Sequence, residues 1–394
     1  MPKPSRRVLP TVIGVGIVTT LAVDGAVLVS WRQADDRAER PVGVQRYVAA
    51  STGTDAAAVQ VAPLRGRVTP HLLIAAPTTL PPQVVERVRT TKGVKRVEVV
   101  DAAQAMVGGK RVGLLGVEPS TFRAFTPKPT AESDALWRNI AGGDIAISFT
   151  MGNDGGVTLG SQIPVGGRTR QSQLRVGAYA TMGLSDVDAV VSRSVARALG
   201  VPTGNALLVS ASKRNAGAIA KALRKKLPKG AKTVEVSPEL DIPAPGGQVP
   251  AAKGEVMTAE QVRIVIRAAY SRLGWPYVWG GESEVEGGYD CSGLMQYAFA
   301  QAGIRLPRVA ADQARAGWII PYSKARPGDM LIWANDPTAP GYISHIALYI
   351  GDGKMIAAPR RGTVVQVQRV YTRNLKGAVR VNPRLAARLA ASGL

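Results

Sequence analysis

Sulfur and imidazole are scarce in this chain of 394 residues, which has one cysteine, Cys291, and two histidines, His71 and His345. A single cysteine cannot close an intrachain disulfide, so a disulfide-stapled scaffold is excluded. The same shortage rules out the usual four-ligand Cys/His zinc site; no metal and no cofactor is expected. Phenylalanine is rare, with 4 residues, and acid is short: 28 Asp and Glu stand against 50 Lys and Arg, a formal charge of +22. That imbalance points to a polyanionic partner such as nucleic acid, an acidic membrane or a wall polymer. What is present is globular. Hydrophobic residues make up 45% and charged residues 20%, enough apolar material for roughly two to three domains of about 100–200 residues.

Residues 8–31, Val8 to Trp31, carry one charge, Asp24. At about 1.5 Å per residue this run crosses an apolar layer of about 30 Å. Lys3, Arg6 and Arg7 precede it, so residues 1–7 are expected to stay cytoplasmic. Two readings are open: an uncleaved signal anchor, or a signal peptide cut near Ala26. Asp24 would cost roughly 2.5–3.5 kcal/mol at a helix centre, and less toward the outer end where it lies. Asp24-Gly25-Ala26 is a poor cleavage site, which favours the anchor. Both readings export the rest of the chain, and export removes nucleic acid from the expected partners. The expected location is the cell membrane, single-pass, with the main part on the wall side.

Residues 32–44 mix both charges and are expected to form a juxtamembrane spacer. Residues 45–236 alternate short apolar runs with helical stretches, a mixed α+β pattern. Strands are predicted over 71–76, 94–100, 188–192 and 233–236, and helices over 82–91, 194–199 and 215–227. Asp144-Ile-Ala-Ile-Ser148 and Asp188-Ala-Val-Val-Ser192 echo each other, a hint of two related strand units. The region resembles the extracytoplasmic domain of MacB/FtsX-type transporter permeases through Gly116-Val-Glu-Pro-Ser-Thr-Phe122, Gly143-Asp-Ile-Ala-Ile-Ser148 and Leu199-Gly-Val-Pro-Thr-Gly204. That resemblance implies an interaction or positioning module with an envelope protein partner. Residues 237–256 are rich in Pro, Gly and Ala and read as a linker. A second folded domain is expected over 257–380, with a C-terminal tail over 381–394.

Thr258-Ala-Glu-Gln261 is a capping-box pattern, followed by apolar residues at helical spacing up to Leu273 and a stop at Gly274. Asp290 is a good helix N-cap, which puts Cys291 in the first turn of a helix that ends at Gly303. Unpaired N–H groups and the macrodipole favour a thiolate there. Strands are predicted over 330–333 and 344–350. With a loop of Gly351 to Gly353, the returning strand sets Ala357 opposite Ala347, on the face of His345. A lone cysteine at a helix start and a lone histidine on a later strand suit a nucleophile and its base. Each alone is a plain core residue; together, as the only Cys of the chain and the only His of this domain, they point to chemistry.

These residues resemble the NlpC-type cell-wall endopeptidases. The resemblance rests on Tyr277-Val-Trp-Gly-Gly281, Asp290-Cys-Ser-Gly293, Leu306-Pro-Arg308, Arg326-Pro-Gly-Asp329 and Ser344-His-Ile-Ala-Leu-Tyr-Ile-Gly351. It implies a papain-like α+β domain that cleaves peptidoglycan stem peptides, commonly between D-glutamate and the diamino acid. It carries over Cys291 as nucleophile and His345 as general base, with Tyr277, Asp290 and Ser292 at the substrate site. The family's third polar residue falls at Ala357, whose methyl cannot orient an imidazole. A rival expectation is therefore a catalytically silent wall-binding scaffold. An exported amidase or transferase using the same Cys/His pair is a third.

Overall fold

A computed structural model describes residues 44–50, 60–166, 170–212, 216–236 and 256–391. The expected cytoplasmic tail, signal anchor and nearly all of the spacer and linker lie outside these residues. Among the described residues no helix is long and apolar enough to cross a membrane.

The region before the linker is a mixed α+β domain of nine strands: β1 (Leu72–Ala75), β2 (Val94–Val107), β3 (Lys110–Val117), β4 (Ile145–Ile147), β5 (Gln162–Gly166), β6 (Gln171–Tyr179), β7 (Ala189–Ser192), β8 (Ala206–Ala211) and β9 (Lys232–Glu235). Their order is β3-β7-β4-β6-β5-β2-β8-β1-β9, and β3 also pairs with β2. That extra pairing closes six strands into a barrel, which leaves them no free edge. The barrel is filled by Val107, Leu114, Ile145, Ile147, Val176 and Val191 among others. The β2 strand is long because it serves twice: residues 101–107 pair with β3 inside the barrel, and 94–100 pair with β8 outside it. The echoed segments are structurally alike. Each is a strand ending in a serine, Ser148 or Ser192, whose side chain caps the helix that follows, Phe149–Asn153 or Arg193–Ala198. The two strands, β4 and β7, pair antiparallel with each other.

The C-terminal region carries a small ribbon of β10 (Glu282–Ser283) and β11 (Gly288–Tyr289). Its main sheet is formed by β12 (Gly317–Ile320), β13 (Met330–Trp333), β14 (His345–Gly351), β15 (Lys354–Ala357), β16 (Gln366–Arg369) and β17 (Leu375–Val381). The sheet order is β12-β17-β13-β14-β15-β16, antiparallel throughout. One face, with Ile332, Ile346, Leu348 and Ile356, packs on Leu294, Met295 and Ala298 of the helix Cys291–Ala300 and on Val265 and Ala269 of the helix Ala259–Tyr270. The other face buries Leu331, Trp333, Ala347, Met355 and Ala357. The capping box at Thr258 and Gln261 forms as expected. The stretch beyond 380 is more than a tail: Pro383–Ala391 is a helix, and its Ala386 is buried in the domain core.

The two regions interlock around the loop between β13 and β14. Thr130 donates its hydroxyl to the Thr338 carbonyl at 3.0 Å, and the Thr181 N–H donates to Thr338 Oγ1 at 2.9 Å. Ser185 donates to Asp312 at 2.8 Å, and Arg315 to the Glu235 carbonyl at 2.9 Å. Across the way, Lys110 lies over the Trp279 ring and donates to its carbonyl at 3.2 Å. Trp279 itself packs against the barrel core. Thr338 is fully buried at this junction and passes its own proton to Asp336 at 2.7 Å. Thr338→Val keeps the shape but strips the acceptor from Thr181 N–H and a donor from Asp336. We expect a loss of about 1–3 kcal/mol, read from the midpoint shift in urea unfolding of the full chain; an unchanged midpoint would show that the junction contributes nothing to stability.

Candidate active site

Asp290 starts the helix that carries Cys291. Its backbone is extended, and its Oδ1 accepts from the Gly293 N–H at 2.7 Å, the N-cap bond the sequence predicts. Its Oδ2 accepts from the Gly280 N–H at 2.9 Å and so ties the helix start to the loop before β10. Gly293 is needed for that approach, because a Cβ there would stand 2.1 Å from the Gly281 carbonyl oxygen. Arg308 clamps the same carboxylate from the other side: Nη1 donates to Oδ1 at 3.1 Å and Nη2 to Oδ2 at 2.7 Å. Ser292 donates to Asp290 Oδ1 at 3.1 Å and accepts from Arg308 at 2.9 Å. Glu282 adds a further contact to Arg308 at 3.3 Å. This two-pronged pair raises the Arg308 pKa despite its burial.

Cys291 and His345 line one cavity of about 730 Å³, and both are buried, 8% exposed. Cys291 packs toward β14, where the Ile346 N–H bonds its sulfur. His345 sits at the first position of β14 with its ring tilted against Trp333, centroids 5.5 Å apart. Burial pushes the His345 pKa down to about 4, and the Asp290 charge opposes this only weakly. Burial pushes the Cys291 thiol up to about 12; Asp290 adds to the rise, and the Ile346 N–H and Arg308 oppose it. Burial thus works against the charged form of both groups. Burial and the neighbouring Asp290 carboxylate oppose the thiolate that the helix start favours.

The other expected residues fall around this pair. Tyr277 lines the cavity, and burial raises its hydroxyl pKa far above the usual range. Asp290 and Ser292 line it too, but their oxygens are engaged with Arg308 and the helix start. Ala357 is fully buried beside Trp333 and Ala347, and pairs with Gln366 of β16. Leu348 faces Ile356 in the expected register, although a bulge follows before Gly351 meets Lys354. Among the described residues no protein group hydrogen-bonds the His345 ring, and Ala357 offers it none. The loop acids Glu284 and Glu286 are turned to Arg272 and to the loop backbone and do not line the cavity.

Two features were not anticipated from sequence. Arg308 was recognised only as part of a motif, and its clamp on Asp290 spans 18 positions. The opposite wall of the cavity comes from the middle domain: Arg111, the helix after Ser148, and the segment from Thr181 to Asp188. No local sequence signal marks either.

A thiol held neutral by burial should resist alkylation. An unperturbed cysteine titrates near 9.0, against about 12 for Cys291. At pH 9 we expect iodoacetamide to modify the native chain at least ~100-fold more slowly than the urea-unfolded chain, since the thiolate is the reactive form. Comparable rates would show that the thiol is ionised or exposed in the resting protein.

Residues 274–381 match the NlpC/P60 family. The chain is 38% identical over 142 residues to the peptidoglycan endopeptidase RipA of Mycolicibacterium smegmatis, across 33% of this chain and 28% of that protein. It is 40% identical over 110 residues to the gamma-D-glutamyl-L-lysine dipeptidyl-peptidase of Bacillus subtilis, across 28% of this chain and 35% of that protein. Among solved structures it is similar to RipD of Mycobacterium tuberculosis, described as a non-catalytic NlpC/p60 domain protein adapted to peptidoglycan binding. That likeness has 32% identity and a TM-score of 0.27, over 32% of this chain and 99% of the other. The chain thus spans about a third of the length of these two curated relatives. With the helix-start cysteine and the strand histidine already placed in one cavity, the match identifies the C-terminal domain of this chain, residues 274–381, as a member of the NlpC/P60 cysteine peptidase family.

Proposed function

We propose that this chain is a cysteine endopeptidase that hydrolyses peptidoglycan stem peptides. The observation that carries the reading is the meeting of Cys291 and His345 in one cavity of an NlpC/P60 domain. Cys291 Sγ attacks the peptide carbonyl carbon while its proton passes to a ring nitrogen of His345. A neutral imidazole is the form able to take it. The oxyanion that forms is stabilised by first-turn N–H groups at the start of the Cys291 helix. The imidazolium then protonates the departing amine, leaving a thioester. Water attacks the thioester, His345 takes its proton, and the thiol is restored. Asp290 stabilises the transient imidazolium by its charge.

The bond is the one between D-glutamate and the diamino acid, in keeping with the name of the Bacillus subtilis relative. The reading places residues 8–31 in the membrane as the anchor and the main part of the chain on the wall side. It also keeps an envelope protein partner for the middle domain. The second reading is a silent wall-binding module. The missing hydrogen bond to the His345 ring, among the described residues, and the apolar Ala357 favour it.

Mass spectrometry of muropeptides after digestion with the full chain tests the reading. Cleavage products are expected from the parent. Cys291→Ala should yield none, and His345→Ala should be slower by about 10²–10⁴-fold, the usual contribution of a general base. Intact muropeptides after prolonged incubation with the parent would favour the binding module, and cleavage by folded Cys291→Ala would remove Cys291 as nucleophile.

A further inference from the structure

We propose that Trp333 is the positioning residue of His345: its indole, clamped by Tyr371, fixes the imidazole by ring packing, the part that a polar side chain at position 357 would otherwise take. The inference rests on the Cys/His reading above and names what holds its base in place.

Trp333 and His345 are direct partners across β13 and β14, so their side chains share one face of the sheet. The rings meet there, with centroids 5.5 Å apart and planes inclined by 49°. His345 lines the cavity. Trp333 is fully buried and forms no part of the cavity wall. A residue placed in this way touches the base without touching what the cavity holds.

The indole is itself held firmly. It stacks on the Tyr371 ring, centroids 4.8 Å apart and planes 29° apart. Its Nε1 donates to the Tyr371 carbonyl at 3.0 Å. The stack sets the plane of the indole, and the hydrogen bond sets its rotation within that plane. Tyr371 is tied back in turn, because its hydroxyl accepts from Asn335 Nδ2 at 3.3 Å. The Asn335 N–H donates to Ser344 Oγ at 2.9 Å, and the Ser344 N–H donates to the Trp333 carbonyl at 3.0 Å. The end of β13, the start of β14 and the Tyr371 loop are thus joined by one circuit of bonds, with the two rings at its centre.

A histidine ring needs such a contact. Its second side-chain torsion is broad and roughly two-fold, so an imidazole without neighbours turns easily. Among the described residues no protein hydrogen bond fixes this one. Ala357 belongs to the same buried apolar cluster as Trp333. The face that lacks a polar orienter is therefore the face that packs the ring. Misplacing a reacting group by about 1 Å can cost 10²-fold in rate, so a ring held by packing alone still has much to give.

The test is 13C relaxation of the His345 ring in the full chain, its signal assigned by its loss in His345→Ala, alongside kcat and KM on a stem peptide. The parent ring should show an order parameter near that of rigid backbone, about 0.85, and Trp333→Leu one below about 0.6. Trp333→Phe keeps an aromatic face and should keep the ring ordered. Trp333→Leu should lower kcat about 10–100-fold with KM within about twofold, and Trp333→Phe should recover most of the loss. Folding is checked by circular dichroism. Tyr371→Leu serves as a second variant, since Tyr371 is 38% exposed and its loss frees the indole without emptying the core. A mobile ring in the parent, an equally ordered ring in both Leu variants, a raised KM at unchanged kcat, or a Phe variant as impaired as Leu would each overturn the assignment. Relaxation needs no turnover, which separates the two claims. A parent that cleaves nothing yet loses ring order in the Leu variants sinks the endopeptidase and keeps the positioning role; a parent that cleaves, with ring order unchanged by either substitution, does the reverse.

Discussion

The Asp290 carboxylate holds the site together. It caps the Cys291 helix through Gly293, anchors the preceding loop through Gly280, takes the Ser292 hydroxyl and receives both prongs of Arg308. Each contact alone is ordinary, but together they leave the first turn of the helix one position and the thiol one direction. The same charge acts on both halves of the reacting pair. It raises the Cys291 pKa, which disfavours a thiolate, and raises that of His345, which favours an imidazolium. In the proposed mechanism the two effects oppose each other in the ion pair formed during attack, so the value of Asp290 there is placement more than activation. Arg308 keeps the bargain tolerable, since a carboxylate this buried would otherwise stand uncompensated.

Around that hub, the cleft is a joint construction. The C-terminal domain brings Cys291 and His345, and the middle domain brings the wall opposite them. The two echoed units of the barrel take different parts in it. The unit ending in Ser148 faces the cavity, with the serine capping its helix and donating to Asp188. In the unit ending in Ser192, the serine caps its helix in the same way but lies away from the cavity. One ancestral-looking strand and cap thus serves structure in one place and the cleft in the other. The loop holding Asp336 and Thr338 is buried by the partner domain, so neither wall can shift without breaking the hydrogen bonds at Thr338.

What could be read from the sequence was local. Asp290 announces a helix at Cys291 because an N-cap acts over three residues, and the capping box at Thr258 works over the same distance. His345 and Ala357 could be set on one sheet face because a hairpin fixes its own register within a few residues of the turn. The strands from Leu72, Val94, Ala189 and Lys232 were legible by alternation, though β2 runs seven residues further than expected, to Val107. That extension pairs with β3 across a two-residue turn, Gly108-Gly109, a local hairpin signal; the parallel pairing of β3 with β7 that completes the barrel is what no short window contains. The clamp of Arg308, the middle-domain wall and the docking of Pro383–Ala391 share this long range. The forces on the thiol divide the same way: the helix start that favours a thiolate is local, whereas the burial that opposes it comes from distant packing.

Charge is sorted by depth in this protein, and the sorting bears on what each part does. Among the described residues, the charged side chains that are buried are Asp101, Asp290, Asp329 and Asp336, with Arg123 the one basic exception. Among the described residues, every Lys and Arg but Arg123 is therefore at or near the surface, while several carboxylates are not. A surface of that sign attracts anionic polymers over distances of about 8 Å at physiological salt. The cleft is mixed in charge on its middle-domain side, where Arg111 lines it beside Asp186 and Asp188, whose pKa values burial raises and Arg308 opposes. The exterior field falls with salt, whereas hydrogen-bonded charges inside the cleft, such as the Asp290–Arg308 pair, are screened much less.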